Sequence, residues 1–528
     1  MLNKKKVEFF TTNFTLTMFT LILWSLILKI CHFEILMVNF SLLINLSLLW
    51  LFFSLFQDET VKLENQIFIF RLVEICGIAI GLIALAQLFD LFHNLQPGRE
   101  KLLTTLGNVD FTAAYLGFSV ICSLILVLKK TNPLSILNLL NIPLIFYCRS
   151  RIVFFALIPA LLIPLFYSRK YLKIGLVFLA VCFFMICCNQ NFRSRYYQDV
   201  KKVFTGDEER FFIWKVSLEM LKANPMGVGT GNYAYYFPYF QKVYFQKTAE
   251  KDWPQYRLNF FAEEAHNEYL QFICETGIPG FFLLIIFFIS VIKHWIESDL
   301  SKLGNQLVVC WSAFGIMLCF FDLTIHVVPL GIIVLLTFIM MDTCYRKTIV
   351  DVKPMSAVIL VVLAIIFYYN SFSEIFSEFY LYKGVSSSNP VLKVFFLEKA
   401  VSLAPRNPRA LFEMGNCCME QGEYQKSADW LLKTAAISNM PAVFSNLGGA
   451  LTMMGMLEEG EKQIRLALEM DPHNFAYQYK LAYNYFVQKK MSEAQTLLNR
   501  IVGEETEPQL KMRAVRLLNS INSSIIGK

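Results

Sequence analysis

The sequence predicts an all-α protein: a polytopic membrane bundle of about eleven helices, N-terminus inside and C-terminus outside, followed by an α-solenoid. Three observations carry this. Hydrophobic residues make up 56% of the 528 residues and charged residues only 17%, with a mean hydropathy of +0.48, whereas soluble domains run at roughly 25% charged. Apolar runs long enough to cross about 30 Å of hydrocarbon recur through the first two-thirds of the chain. From residue 372 onward the composition turns polar and helix-forming, and it repeats. A purely cytosolic enzyme is thereby excluded. The net charge of +7, from 48 basic and 41 acidic residues, is modest, and no basic run is interleaved with aromatics, so nucleic acid is not an expected partner. Thirteen cysteines lie mainly in apolar stretches without metal-ligand spacing. They read as core or lipid-facing residues, and neither a metal nor a cofactor is expected.

Reading the apolar runs between charged breaks places the spans at 13–31, 34–56, 66–89, 110–128, 133–148, 152–168, 171–188, 277–292, 306–322, 325–341 and 355–371. The first follows MLNKKK with no small-residue cleavage site after it, so it is expected to be an uncleaved span. Lys and Arg accumulate on the cytoplasmic side of short loops. Lys4–Lys6, Lys129 and Lys130, Arg169, Lys170 and Lys173, Lys293 and Lys302, and Arg346, Lys347 and Lys353 then fall inside together. The expected organisation is a membrane domain over 1–371, with a large exoplasmic loop at 189–276, and an exoplasmic repeat domain over 372–528.

In the tail, Leu411, Gly415, Gly422 and Tyr424 align with Phe444, Gly448, Gly455 and Leu457, and these with Gln478, Ala482, Lys489 and Met491. The offsets of about 33 and 34 residues resemble those of the tetratricopeptide repeat, with small residues where paired helices touch. Pro405 and Pro472 take the repeat-ending position, while Ser427 and Gly460 replace its usual alanine. A half-repeat is expected to end at SLAPRNP, and residues 506–524 to cap the array. Such solenoids bind partners along a concave face, so the tail is expected to dock a protein.

Cations at the outer face work against the positive-inside bias and are costly if buried. Arg149 and Arg151 in FYCRSRIVFF fall in a short outer turn at a helix start, where unpaired N–H groups favour anions. They read as a phosphate or pyrophosphate site, against a competing reading of snorkelling to lipid head groups. In the long loop, 208–222 is expected to form an amphipathic helix with Phe211, Trp214, Leu218 and Leu221 at the membrane interface and Arg210 in its first turn. Gly227, Gly229 and Gly231 follow as a tight turn, not a nucleotide site, because no strand precedes them. YAYYFPYFQKVYF is rich in aromatics that either stack on sugars or anchor at head-group depth. In AEEAHNEYLQFICETGIPGFF, His266 has polar neighbours at Glu263, Glu264, Asn267 and Glu268. A helix here would put Glu263 on its face to hold the imidazole as a base; simple solvation is the plainer alternative.

These residues together resemble the bacterial O-antigen ligase superfamily, which includes O-antigen polymerases and protein O-oligosaccharyltransferases. The resemblance spans roughly 60–345 and rests on GNVDFTAAYL, the SR pair, RFFIWKVSLEMLKANPMGVGTGNYAYYFP and HNEYLQ…ETGIPG. It implies metal-independent transfer of a glycan from undecaprenyl pyrophosphate to an acceptor hydroxyl of lipid A-core or protein, with inversion, at the outer face of the bacterial inner membrane. Carried onto this sequence, Arg151 and Arg210 are pyrophosphate ligands and His266 activates or positions the acceptor, with Glu268 the next residue to consider. Arg99 in QPGREKLL is a further phosphate candidate. Arg149 departs from the pattern, standing where a small or hydroxyl residue is expected, and GNVDF replaces GNPNF. A non-catalytic scaffold would not need these outer cations. A transporter would instead show ionisable residues at mid-span and broken helices.

Overall fold

The computed structural model describes residues 63–89, 109–129, 132–148, 150, 209–248, 262–298, 302–319, 376–504 and 507–526, with isolated positions between them. Every regular element among them is helical. The spans predicted at 13–31, 34–56, 171–188 and 355–371 lie outside the described residues, as do Arg99, Arg149 and Arg151.

Helix α1 (Leu63–Leu88), α2 (Val109–Lys129), α3 (Pro133–Leu139), α4 (Ile142–Tyr147), α7 (Glu268–Glu297) and α8 (Leu303–Cys319) form the membrane part. Helices α1, α2 and α7 are each long and apolar enough to cross a bilayer. Helix α2 is the central one, packed against α1, α3, α4 and α8. Trp311 of α8 is fully buried, its indole donating to the Phe118 carbonyl at 3.2 Å and meeting Phe70 edge-on at 4.8 Å. Gly117 permits this approach, since a Cβ there would sit 2.5 Å from the Phe314 ring. Helix α7 by contrast exposes Phe281, Phe282, Ile285, Ile289, Ile292 and Ile296. An unbroken apolar face of this kind fits a helix that meets lipid.

The predicted fifth span, 133–148, is two short helices separated at Leu140–Asn141. Side-chain amides explain the break. Asn138 donates to the Ser119 carbonyl (2.9 Å) and Ser123 Oγ (2.8 Å), and Asn141 donates to the Gly77 carbonyl (3.0 Å). Next to them Glu74, fully buried, pairs with Arg71 at 2.7 Å and accepts from Ser123 Oγ at 2.7 Å. Ionisable and polar groups are therefore gathered within α1–α4 as well as in the loop segments. A buried acid–base pair is tolerated among these helices because both Glu74 carboxyl oxygens have a partner.

The tail is a solenoid of antiparallel helix hairpins. Its helices are α9 (Pro390–Leu403), α10 (Pro408–Glu420), α11 (Tyr424–Ala435), α12 (Pro441–Met453), α13 (Leu457–Met470), α14 (Phe475–Val487), α15 (Met491–Glu504) and the capping helix α16 (Pro508–Ile526). Consecutive helices pack on one another throughout. The first unit is a complete hairpin instead of the expected half-repeat: helical residues 376–386 pair with α9, and Gly384 meets Leu397 as Gly415 meets Leu431 and Gly448 meets Ile464. Both substitutions for alanine have local reasons. Ser427 Oγ donates to the Gly415 carbonyl at 2.8 Å, and a Cβ at Gly460 would sit 2.9 Å from the Gly448 carbonyl. Asn389, Asn407 and Asn474 cap α9, α10 and α14 through their side-chain oxygens.

Candidate functional site

Two helices of the long loop, α5 (Glu209–Ala223) and α6 (Tyr233–Lys247), pack against α7. The amphipathic helix forms as predicted, but its buried face is a different one. Phe212, Ile213, Val216 and Met220 are buried, whereas Leu218 is exposed. They close on Tyr233, Phe237, Phe240 and Phe245 of α6, with Phe212 stacked on Phe245 at 5.6 Å. Tyr233, Phe237, Phe240 and Phe245 of the aromatic run are thus core of the loop domain, while Tyr239 is exposed. Fully buried Ser217 joins the two helices through its 2.6 Å hydrogen bond with the Tyr233 hydroxyl.

The glycine turn between α5 and α6 docks on α7. Gly227, Gly229 and Gly231 have φ of 91°, 93° and 77°, values that only glycine adopts without strain. Val228 N–H donates to the Cys274 carbonyl (3.0 Å), Gly229 N–H to the Glu275 carbonyl (2.9 Å), and Ile278 N–H to the Pro225 carbonyl (2.8 Å). The acceptors at Cys274 and Glu275 are available because α7 breaks its ladder at Gly277 (φ 71°), just before Pro279. Thus ETGIPG forms a kink inside a helix that begins at Glu268, nine residues before the predicted span.

His266 sits in the non-helical segment leading into α7, with φ of 50°. A left-handed conformation in a non-glycine residue costs of order 1–2 kcal/mol and persists only where neighbours impose it. Those neighbours come from the same motif and from α5. Ala265 N–H donates to Gln271 Oε1 (3.0 Å), and its carbonyl accepts from Trp214 Nε1 (3.0 Å). Asn267 caps α7 by accepting from Leu270 N–H (3.0 Å), and the Tyr269 hydroxyl donates to the Ile316 carbonyl (2.6 Å). Asn267, Tyr269 and Gln271 of NEYLQ therefore each have a structural duty that orients this segment. Glu268, 5% exposed, is buried in the first turn of α7. Arg210 lies one turn before Trp214 on α5, so the face that reaches the His266 segment also carries the predicted guanidinium.

Glu263 departs from its expected role. The residues around it are not helical, so it does not share a helix face with His266; its carboxylate instead pairs with Arg409 of α10 at 2.5 Å. Trp214, Asn267 and Gln271 are the supporting residues that sequence reading did not assign. For Asn267 a signal existed: an asparagine immediately before a helical apolar pattern is a cap. Among the described residues no group of His, Cys, Asp and Glu is placed to hold a metal ion.

No curated protein matches the sequence. Among solved structures, the APC/C hetero-tetramer Cut9–Hcn1 matches at 13% identity and a TM-score of 0.25, covering 83% of this chain and 68% of that one. A likeness at that score leaves the fold to be argued from this chain's own helices. Residues 112–285 match the O-Antigen ligase family, a range running from α2 through the loop helices and the His266 segment into α7. This is a membrane protein with an O-antigen ligase domain at residues 112–285, of the ligase and polymerase type of glycosyltransferase.

Proposed function

We propose that the chain transfers a glycan from undecaprenyl pyrophosphate to an acceptor hydroxyl of lipid A-core at the outer, periplasmic face of the bacterial inner membrane, without a metal and with inversion. The observation that carries this reading is the held backbone at His266, in a left-handed conformation between Ala265, bonded to Trp214 and Gln271, and the cap Asn267, within the family's matched range. In the reaction the acceptor oxygen attacks the anomeric carbon as the bond to the pyrophosphate oxygen breaks. The electron pair leaves with the pyrophosphate, and the hydroxyl proton passes to the imidazole, a base suited to neutral pH. A single displacement inverts the anomeric centre. Arg210 and Arg151 meet the growing charge on the leaving group, a task for which the guanidinium fork is suited; Arg149 and Arg99 are further cations for the same donor. Glu268 is the nearest buried carboxylate in sequence and would support the imidazole charge.

Two alternatives share this chemistry. In a polymerase the acceptor is another lipid-linked glycan. In a protein O-oligosaccharyltransferase it is a Ser or Thr hydroxyl, and the ion pair joining Arg409 of the repeat domain to Glu263 favours this second reading. A deletion strain separates the three: loss of long-chain lipopolysaccharide, accumulation of single-repeat lipopolysaccharide, or loss of glycoprotein staining.

His266→Ala tests the core of the proposal. Transfer should fall by roughly 100-fold or more while donor binding changes little. His266→Gln can position a hydroxyl but cannot take its proton at neutral pH, so near-normal turnover there would reduce the imidazole to positioning. Normal turnover in the alanine variant would overturn the assignment.

A further inference from the structure

Among the described residues, three polar contacts join the solenoid to the ligase domain along one rim. Arg409 at the start of α10 pairs with Glu263 at 2.5 Å. Asn439, just before α12, donates through Nδ2 to the Tyr235 carbonyl at 3.0 Å. Glu469 at the end of α13 pairs with Lys242 at 2.5 Å. All three lie beside inter-repeat turns, and the contacts come from successive repeats. On the other side, Tyr235 and Lys242 are two helical turns apart, so one face of α6 meets the rim while Phe237, Phe240 and Phe245 face α5. Glu263 lies three residues before His266, in the segment whose backbone Trp214 and Gln271 hold from the opposite side.

We propose that the repeat domain is a positioning element of the transferase site, with Arg409 tethering the His266 segment through Glu263 while Asn439 and Glu469 seat the rim on α6. The inference deepens the proposed function and rests on it for the role of His266, but the tether itself is a property of the chain. The segment from Ala262 to Asn267 has no helical ladder of its own, so its order depends on contacts at its margins. Trp214 and Gln271 fix its C-terminal margin, and the Arg409 pair fixes its N-terminal one. Arg409 is a positioning residue, since it acts on His266 only through Glu263.

The test uses full-length protein in lipid nanodiscs and two measurements. In hydrogen exchange, Arg409→Ala should raise exchange across 262–268, and the triple variant Arg409→Ala, Asn439→Ala, Glu469→Ala should raise it further and extend it to α6. In transfer assays, Arg409→Ala should lower kcat by roughly 3- to 5-fold, as for an exposed ion pair, with little change in donor KM. The triple variant should lower it by about tenfold or more if the contacts add. The charge exchange Glu263→Arg with Arg409→Glu should restore exchange protection and most of kcat, which a general folding defect would not allow. Arg465→Ala, which breaks a pair internal to the repeats, serves as the control and should leave both measurements unchanged. Unchanged exchange and kcat in the triple variant would overturn the inference. If the wild-type chain transfers no glycan, the proposed function fails, and the exchange arm still decides whether the tether exists.

Discussion

Gly277→Ala is the sharpest test of how the loop domain is seated on the membrane helix. At φ 71° and ψ −163°, a region almost reserved for glycine, an alanine costs about 1–3 kcal/mol in backbone strain. Its Cβ would also lie 2.3 Å from the Met226 carbonyl carbon and 2.5 Å from both Gly227 N and the Pro225 carbonyl oxygen. These are backbone atoms and cannot rotate away, so the turn must lift. Lifting it removes the hydrogen bonds from Val228, Gly229 and Ile278, each worth about 1 kcal/mol net. Together these terms come to roughly 4–6 kcal/mol. Gly227→Ala produces the same separation from the other side, where its Cβ would meet the Glu275 carbonyl oxygen at 2.4 Å. The double variant should therefore cost clearly less than the sum of the two singles. Thermal unfolding in detergent reads the series, with two internal comparisons. Gly422→Ala has the same sign of φ but open space around it and should cost only the strain, about 1–2 kcal/mol. Gly503→Ala, in open space on α15, should be neutral or stabilising by up to about 1 kcal/mol. If Gly277→Ala unfolds no earlier than Gly422→Ala, the docking of the turn on the kink is wrong.

Other outcomes follow from the same reading. Arg210→Ala and Arg151→Ala should each weaken donor use, with lysine at either position retaining part of the activity because it keeps the charge but loses the planar fork; full activity in both folded alanine variants would place the pyrophosphate elsewhere. Burial raises the Asp471 carboxyl from 3.8 to about 7, against the lowering effect of the Asn474 hydrogen bond. The folded chain then keeps a proton that the unfolded chain has lost, so stability should fall by as much as roughly 4 kcal/mol as pH rises through that window. Asp471→Asn should flatten this dependence in thermal unfolding across pH, and an unaltered slope would show that Asp471 does not carry it. Alkaline phosphatase fused after residue 380 should be active and near residue 300 inactive, and the reverse pattern would invert the topology and displace the site.

Local chemistry explains why much of the helical architecture was legible. Apolar runs mark α1, α2 and α8 because lipid admits backbone only when its hydrogen bonds are closed within the helix. The repeat period is visible because each hairpin needs small residues such as Gly415, Gly448 and Ala482 where its helices meet. The choice of buried face on α5 was less legible. Every side of that helix carries an apolar residue, and the aromatic face of α6, not the bilayer, selected Phe212, Ile213, Val216 and Met220. The break in the fifth span was likewise hidden, because Asn138 and Asn141 end a helix only where Ser119, Ser123 and Gly77 of neighbouring helices receive their amides.

For the candidate site, sequence alone determined the residue types and their order: a histidine in HNEYLQ, an arginine opening an amphipathic helix, and glycines at 227, 229 and 231 that require a turn. Tertiary structure decided what each does. It placed Trp214, 51 residues before Ala265, against that residue's carbonyl, turned Glu263 away to Arg409, 146 residues onward, and used the kink at Gly277 to receive the glycine turn. The physical reason is that helical propensity and capping act within a few residues and are written locally, whereas the partner of a carbonyl or carboxylate far along the chain is set by which surfaces exclude water or lipid together.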